Sequence, residues 1–216
     1  MAVIKPAARL WPRTIPYTIA SEPRPGFVAE QVAAFNAAIR KELFVPRRAE
    51  PDYVEFAVGA EHSSCVIGQQ LGKQKLAFRP ENIVHEMGHC VGLGHEHLHT
   101  KWPGASILSD PRNDSIHALA YRMQVNQHID FGPFDAGSIM LYDPEKLGIP
   151  AVQYGQLAGH DFVKNTKLSQ GDVFALRNLS AHVPDGVPQL AGAGAAGTRI
   201  GANKLGIEST WRPKFH

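Results

Sequence analysis

The chain has 216 residues, of which 44% are hydrophobic and 19% charged, and its 22 basic and 20 acidic side chains leave a formal net charge of +2. This length suits one enzyme-sized domain, with or without a tail. The near-neutral charge excludes a disordered polyelectrolyte and argues against nucleic acid as a partner. No run approaches about 18 consecutive apolar residues, and Lys5, Pro6 and Arg9 stand where a signal peptide needs an apolar core. We therefore expect neither a membrane span nor a classical secretion signal. The compartment stays open between the cytoplasm and export by a signal-independent route, and so does the oligomeric state.

The first half of the chain predicts several strands and one amphipathic helix. A β-favouring run indicates an early strand at Ile15 to Ile19. Apolar residues at spacings of three and four then predict a helix from Val28 to Leu43, which we expect to lie against a sheet. Further strands are predicted at Tyr53 to Val58, more weakly at Cys65 to Ile67, and at Lys75 to Phe78.

The second half is rich in loops, apart from a helix that Pro80 starts. Short elements are predicted around Ile116 to Val125 and Gln170 to Leu179. From Pro184 the composition becomes rich in Gly and Ala and carries more bases than acids. We predict a folded domain over residues 1–183 and a basic Gly/Ala-rich tail over residues 184–216.

A histidine motif occupies residues 85–96, which read HEMGHCVGLGHE. His85, His89 and His95 stand in the pattern H-E-x-x-H-x-x-G-x-x-H. On a helix the first two histidines lie about 40° apart, so both imidazoles reach one ion, while Glu86 flanks the same face. Gly92 permits the sharp turn that ends the helix and brings His95 back as third ligand.

Three neutral imidazoles suit one Zn²⁺ per chain and leave a position open for water, whose proton Glu86 can take. The opposite helix face is apolar, as expected for a helix packed on a core. A chance grouping of histidines on a core helix is the alternative, and the five specified positions make it improbable. Cys90 lies on the apolar side, which favours a buried, inert thiol over a metal ligand.

The motif resembles that of the metzincin metallopeptidases, and the Glu that follows its third histidine, Glu96, is characteristic of astacins. Downstream, Ser138, Met140 and Tyr142 are similar to the astacin Met-turn pattern S-x-M-x-Y. The opening LWPRTIPYTI resembles the start of astacin catalytic domains, and LSQGDVFALRNLS resembles their closing segment. The resemblance covers about residues 10–180.

The resemblance implies an α+β, two-lobed zincin-like domain. A twisted mixed sheet and two helices would lie above the cleft, and an irregular lower lobe would carry the Met-turn. Met140 would form an apolar floor beneath the ligands. Tyr142 would be a detachable zinc ligand that swings to hydrogen-bond the oxyanion. The alternative for Tyr142 is an ordinary half-buried tyrosine.

Several positions depart from the family pattern or are weaker candidates. Leu141 stands where His is frequent in the family, and neither cysteine occupies a position of the usual disulfides. His97 and His99 continue the histidine run, and we expect solvated loop residues there rather than a second metal site. Lys164 and Lys167 lie where the family lines its pocket beyond the scissile bond, although lysines in a polar loop are usually only solvated.

The sequence thus predicts a zinc endopeptidase that binds an extended protein or peptide substrate. We expect the edge of the strand Lys75 to Phe78 to pair with the substrate backbone. Glu86 would act as general base, with Tyr142 supporting the oxyanion. Two alternatives stay open: a binding protein that retains zinc without turnover, which the presence of Glu86 disfavours, and a delivered effector or toxin protease.

Overall fold

A computed structural model describes residues 2–59, 61–142, 144–149 and 165–181 of the chain. Backbone contacts divide the chain into two units, Met1–Asp185 and Gly186–His216. The predicted boundary between residues 183 and 184 lies outside the described residues and stays a prediction. Within the described ranges, no helix has the length and apolarity needed to cross a membrane.

In the part of the chain that the structure describes, six strands form two sheets. The strands are β1 Ala2–Ile4, β2 Ile15–Ile19, β3 Phe44–Pro46, β4 Tyr53–Val58, β5 Lys73–Phe78 and β6 Ile129–Phe131. The larger sheet has the order β3-β2-β4-β5 and its neighbours are all parallel, while β1 and β6 form a separate antiparallel pair. An antiparallel bridge between Ser64 and Ala77 on β5 makes the larger sheet mixed.

Within the described residues, five α-helices accompany the sheets. They are α1 Phe27–Ile39, α2 Ile83–Val91, α3 Ala105–Ser109, α4 Ile116–Gln124 and α5 Gln170–Ala181. Strands and helices together confirm the predicted α+β class. The described residues form two apolar clusters: one contains the inner faces of the larger sheet, α1, α2 and α5, and the other lies beneath α3 and α4.

The first helix is shorter than its apolar spacing predicts. Arg40 has a left-handed conformation (φ 52°), which ends α1 at Ile39. The Asn36 side chain then accepts hydrogen bonds from the backbone N–H groups of Leu43 and Phe44, both at 3.1 Å. Leu43 is therefore buried in the loop before β3 rather than on the helix.

The outer edge of β5 is occupied where the sequence predicts it to be free. The Ser64 N–H donates to the Ala77 carbonyl at 2.8 Å, and the Ala77 N–H donates back at 3.0 Å. The predicted strand at Cys65 to Ile67 is also wrong, because Gly68 (φ 78°) turns the chain away after this single bridge. Residues 61–67, here called the rim segment, cover β5 at this point.

Candidate metal centre

The active-site helix α2 ends at a position that requires glycine. Gly92 has φ 131°, and a Cβ there would lie 2.9 Å from Leu10 Cδ2. Its N–H and that of Leu93 both bond to the Gly88 carbonyl, which closes the last helical turn. The Gly94 N–H then donates to the Val3 carbonyl on β1 at 2.7 Å, which directs the returning chain toward α2.

Three histidine side chains converge at this return. One ring nitrogen each of His85, His89 and His95 lies within 4.8 Å of the other two. The Nε2 atoms of His89 and His95 are 3.1 Å apart. Tetrahedral zinc with nitrogen bonds of 2.0–2.1 Å separates its ligand atoms by about 3.3 Å, so this arrangement fits the ion.

Backbone carbonyls orient two of these rings. His85 Nδ1 donates to the Ile139 carbonyl and His89 Nδ1 donates to the Leu93 carbonyl, each at 2.8 Å. These bonds place the ring proton on Nδ1 and leave the Nε2 lone pair able to bind a metal ion. Burial lowers the pKa of His89 to about 3 and that of His95 well below its ordinary value, so both imidazoles are neutral and able to ligate.

Glu86 borders a cavity of about 280 Å³, together with residues of the rim segment, the start of α2 and the Met-turn. Burial raises the pKa of its carboxyl group to about 7, while a hydrogen bond from the Cys65 backbone N–H acts in the opposite direction. Its Oε2 atom is buried and has no hydrogen-bond partner within the described ranges. A carboxylate of this kind is able to accept a proton near neutral pH.

The Met-turn packs directly beneath the histidines. Met140 is fully buried, and a Cβ on Gly88 of α2 would lie 2.7 Å from its Sδ atom. Asp172, at the start of α5, holds the turn from below by accepting hydrogen bonds from Ser138 Oγ (2.6 Å) and the Ile139 N–H (2.9 Å). In the sequence analysis, only the family resemblance points to Met140, and Asp172 appears only as part of the segment LSQGDVFALRNLS.

Tyr142 borders the same cavity. Its ring centroid lies 4.3 Å from that of His95 and 5.7 Å from that of His85. Burial raises the pKa of its phenol, which keeps the hydroxyl protonated at neutral pH. The structure therefore places Tyr142 next to the histidines, and its role as ligand or oxyanion donor stays a prediction.

His97 and His99 are buried, so the prediction of solvated residues is wrong. A 3₁₀ turn at Glu96–Leu98 directs them into the second apolar cluster. The His97 ring stacks on His95 at 5.0 Å and meets Trp102 edge-on at 5.9 Å. His99 Nε2 donates to the Gly132 carbonyl at 2.9 Å, which ties this turn to the loop after β6.

The remaining candidates from the sequence are Glu96, Lys164 and Lys167. Glu96 is fully buried and accepts a hydrogen bond from the Asp135 N–H at 2.8 Å, and burial raises its pKa to about 9. Lys167 is exposed and Lys164 lies outside the described residues, so their pocket role stays a prediction. Lys146 does border the cavity, although no sequence pattern singles it out.

Comparison with known families identifies the chain. The family model for Astacin, a peptidase family, matches residues 3–155. The chain belongs to the astacin family. An astacin relative, astacin-like metalloprotease toxin 1 from Loxosceles intermedia, is 32% identical over 152 residues, which cover 58% of this chain and 57% of the relative. The chain thus spans little more than half the length of that relative.

Solved structures have the same astacin-type fold. High choriolytic enzyme 1, a hatching enzyme zinc-protease from Oryzias latipes (medaka fish), superposes with a TM-score of 0.57 at 24% identity and covers 79% of this chain and 92% of its own. Myroilysin superposes with a TM-score of 0.52 at 17% identity and covers 86% of this chain and 100% of its own. At these identities the likeness concerns the fold alone. It agrees with the predicted zincin-like α+β architecture.

Proposed function

We propose that this astacin-family chain is a zinc-dependent endopeptidase that holds one Zn²⁺ through His85, His89 and His95. The observation that carries the proposal is the convergence of three imidazoles beside a buried carboxyl group that borders an open cavity. Membership of the astacin family implies zinc and peptide-bond hydrolysis. A closed structural site would have no use for Glu86 or for access to solvent.

The chain's own residues have separate tasks in this mechanism. Zinc, when bound, lowers the pKa of water and polarises the scissile carbonyl. Glu86 takes a proton from the attacking water and delivers it to the leaving amine, for which a pKa of about 7 is well placed. The protonated phenol of Tyr142 donates a hydrogen bond to the developing oxyanion.

The rim segment is the edge that we propose for pairing with the substrate backbone. Because Ser64 occupies the outer edge of β5 at Ala77, the exposed side of the rim segment replaces β5 as the proposed pairing edge. Its residues Glu61, His62 and Ser63 border the cavity that contains Glu86. An extended peptide along this segment would bring its scissile bond to the histidines.

A peptide-library assay tests the proposed function. The unaltered chain is expected to cleave the library, and Glu86→Gln to retain zinc and lose most activity, because a carboxamide does not accept the proton. Tyr142→Phe should lower kcat more than it raises KM, as expected for a group that acts mainly in the transition state. Glu42→Gln removes an exposed carboxylate and serves as control. Equal cleavage by Glu86→Gln and the unaltered chain would overturn the general-base role.

Two alternative functions predict different experimental results. A zinc-retaining binding protein would show full zinc content and no cleavage of any library peptide by the unaltered chain. A delivered toxin protease is favoured by one observation, the similarity to the metalloprotease toxin of Loxosceles intermedia. In that case purified protein should damage intact cells from outside, and Glu86→Gln should not.

A further inference from the structure

Two thiols lie next to each other between the rim segment and α2. Gln74 Nε2 is 3.9 Å from the Sγ atom of Cys65 and 3.9 Å from that of Cys90. The two sulfur atoms therefore flank one amide nitrogen, and both residues are free cysteines. Cys90 follows the ligand His89 on α2 and is fully buried, whereas Cys65 is partly exposed.

We propose that Cys65 and Cys90 are a disulfide site that links the rim segment covalently to the active-site helix. Both sulfur atoms lie 3.9 Å from the Gln74 amide nitrogen, and rotation of the two side chains toward each other would bring them to the bonding distance of about 2 Å. The backbone on both sides is already joined, because the Gly68 N–H donates to the His89 carbonyl at 2.9 Å. Trp11 Nε1 donates to the Cys90 carbonyl at 3.0 Å and holds that end of the helix.

The oxidant we propose is a small-molecule disulfide, with oxidised glutathione as the probe. The Cys65 thiolate, the accessible one, attacks the glutathione disulfide and releases one glutathione thiolate, which leaves a mixed disulfide at Cys65. Cys90 then loses its proton to that released thiolate and attacks the Cys65 sulfur, which expels the second glutathione. The protein loses two thiol hydrogens, and one glutathione disulfide becomes two thiols.

The bond would act on the cleft through the Cys65 backbone, whose N–H donates to Glu86. It would close a loop that contains β5 and most of α2. Closing a loop of roughly 25 residues restricts the unfolded chain, so we expect the melting temperature to rise by about 5–10 °C on oxidation. The disulfide does not depend on the proposed peptidase function.

The test uses the full chain, loaded with zinc and incubated in its native state with oxidised glutathione. The chain is then denatured, alkylated and mapped by mass spectrometry. We expect a peptide pair joined at Cys65 and Cys90, a mass lower by two hydrogen atoms, and the rise in melting temperature, all reversed by dithiothreitol. Cys65→Ser and Cys90→Ala are each expected to give neither the joined peptides nor the rise.

Other results would overturn the proposal. They are full alkylation of both cysteines after oxidation, a stable glutathione adduct on Cys65, or a bond between two chains. If Cys90→Ala fails to fold because its site is buried, Cys65→Ser alone decides the outcome, since serine keeps the size and hydrogen-bonding capacity of that thiol. A rise in melting temperature that persists in Cys65→Ser would assign the effect to another modification.

Discussion

Replacement of Asp172 tests how the lower part of the domain positions the metal centre. Asp172 is fully buried, and its Oδ1 accepts a hydrogen bond from Ser138 Oγ at 2.6 Å. Its Oδ2 accepts from the N–H groups of Ile139 and Ser169, both at 2.9 Å. The Ile139 carbonyl in turn orients His85. Asp172 therefore connects the start of α5 to the proposed zinc ligand His85 through one residue.

Asp172→Ala leaves these three donors without their acceptor, in a place that the folded chain closes to solvent. Each unsatisfied buried donor costs about 1–3 kcal/mol. The three costs are not additive, because the donors share one carboxylate. Removal of the carboxylate also removes the cost of burying it, which is the desolvation that raises its pKa. We expect a net loss of about 3 kcal/mol in the free energy of unfolding, together with a tenfold or larger loss of zinc affinity.

Asp172→Asn is the matched control. Its amide oxygen can occupy the Oδ2 position and keep both backbone donors, while its amide nitrogen faces Ser138 Oγ, which is able to accept a hydrogen bond. We expect this variant to lose only about 1 kcal/mol. Urea unfolding of the zinc-free chains measures both values. The reasoning is refuted if Asp172→Ala loses less than about 1 kcal/mol, or if both variants lose the same amount.

Three more predictions concern the packing, the pH dependence and the tail. Gly88→Ala should lower the melting temperature and the zinc affinity, because the new Cβ would lie 2.7 Å from Met140 Sδ. Calorimetry and zinc titration measure the two effects, and values equal to those of the unaltered chain would contradict the prediction. Burial raises the pKa of Glu96 from 4.5 to about 9, so the folded metal-free chain keeps a proton that the unfolded chain has released. Stability should therefore fall as pH rises between these values and fall less in Glu96→Gln; equal slopes in urea unfolding would refute this. A chain that ends at residue 183 should bind zinc and melt within a few degrees of the full chain; a collapse in its melting temperature would show that the boundary is misplaced.

Local sequence patterns are sufficient to predict the helix and the turn that hold the proposed metal site. The spacing of the histidines, with Glu86 beside the first, specifies a helix face, and the glycine at position 92 specifies where the helix ends. Both follow from helix geometry and backbone sterics within one short segment. The strands at Ile15–Ile19 and Tyr53–Val58 were predictable for the same reason, because their side chains favour β structure without help from distant residues.

Elements that depend on distant partners were not predictable in this way. The three-residue strand β1 exists through its pairing with β6, more than a hundred residues later. Ser64 closes the edge of β5 through a single bridge that leaves no alternating pattern in the sequence. His97 and His99 are polar by composition, and only the second apolar cluster around the 3₁₀ turn accounts for their burial.

The number of zinc ions per chain tests the central claim most directly. Metal analysis of the purified unaltered chain should give a value close to one. His85→Ala, His89→Ala and His95→Ala should each reduce it sharply, because two imidazoles hold zinc much more weakly than three. The exposed His117 provides the matched control, and His117→Ala should keep full occupancy. Full zinc occupancy in all three ligand variants would place the ion elsewhere and contradict the account.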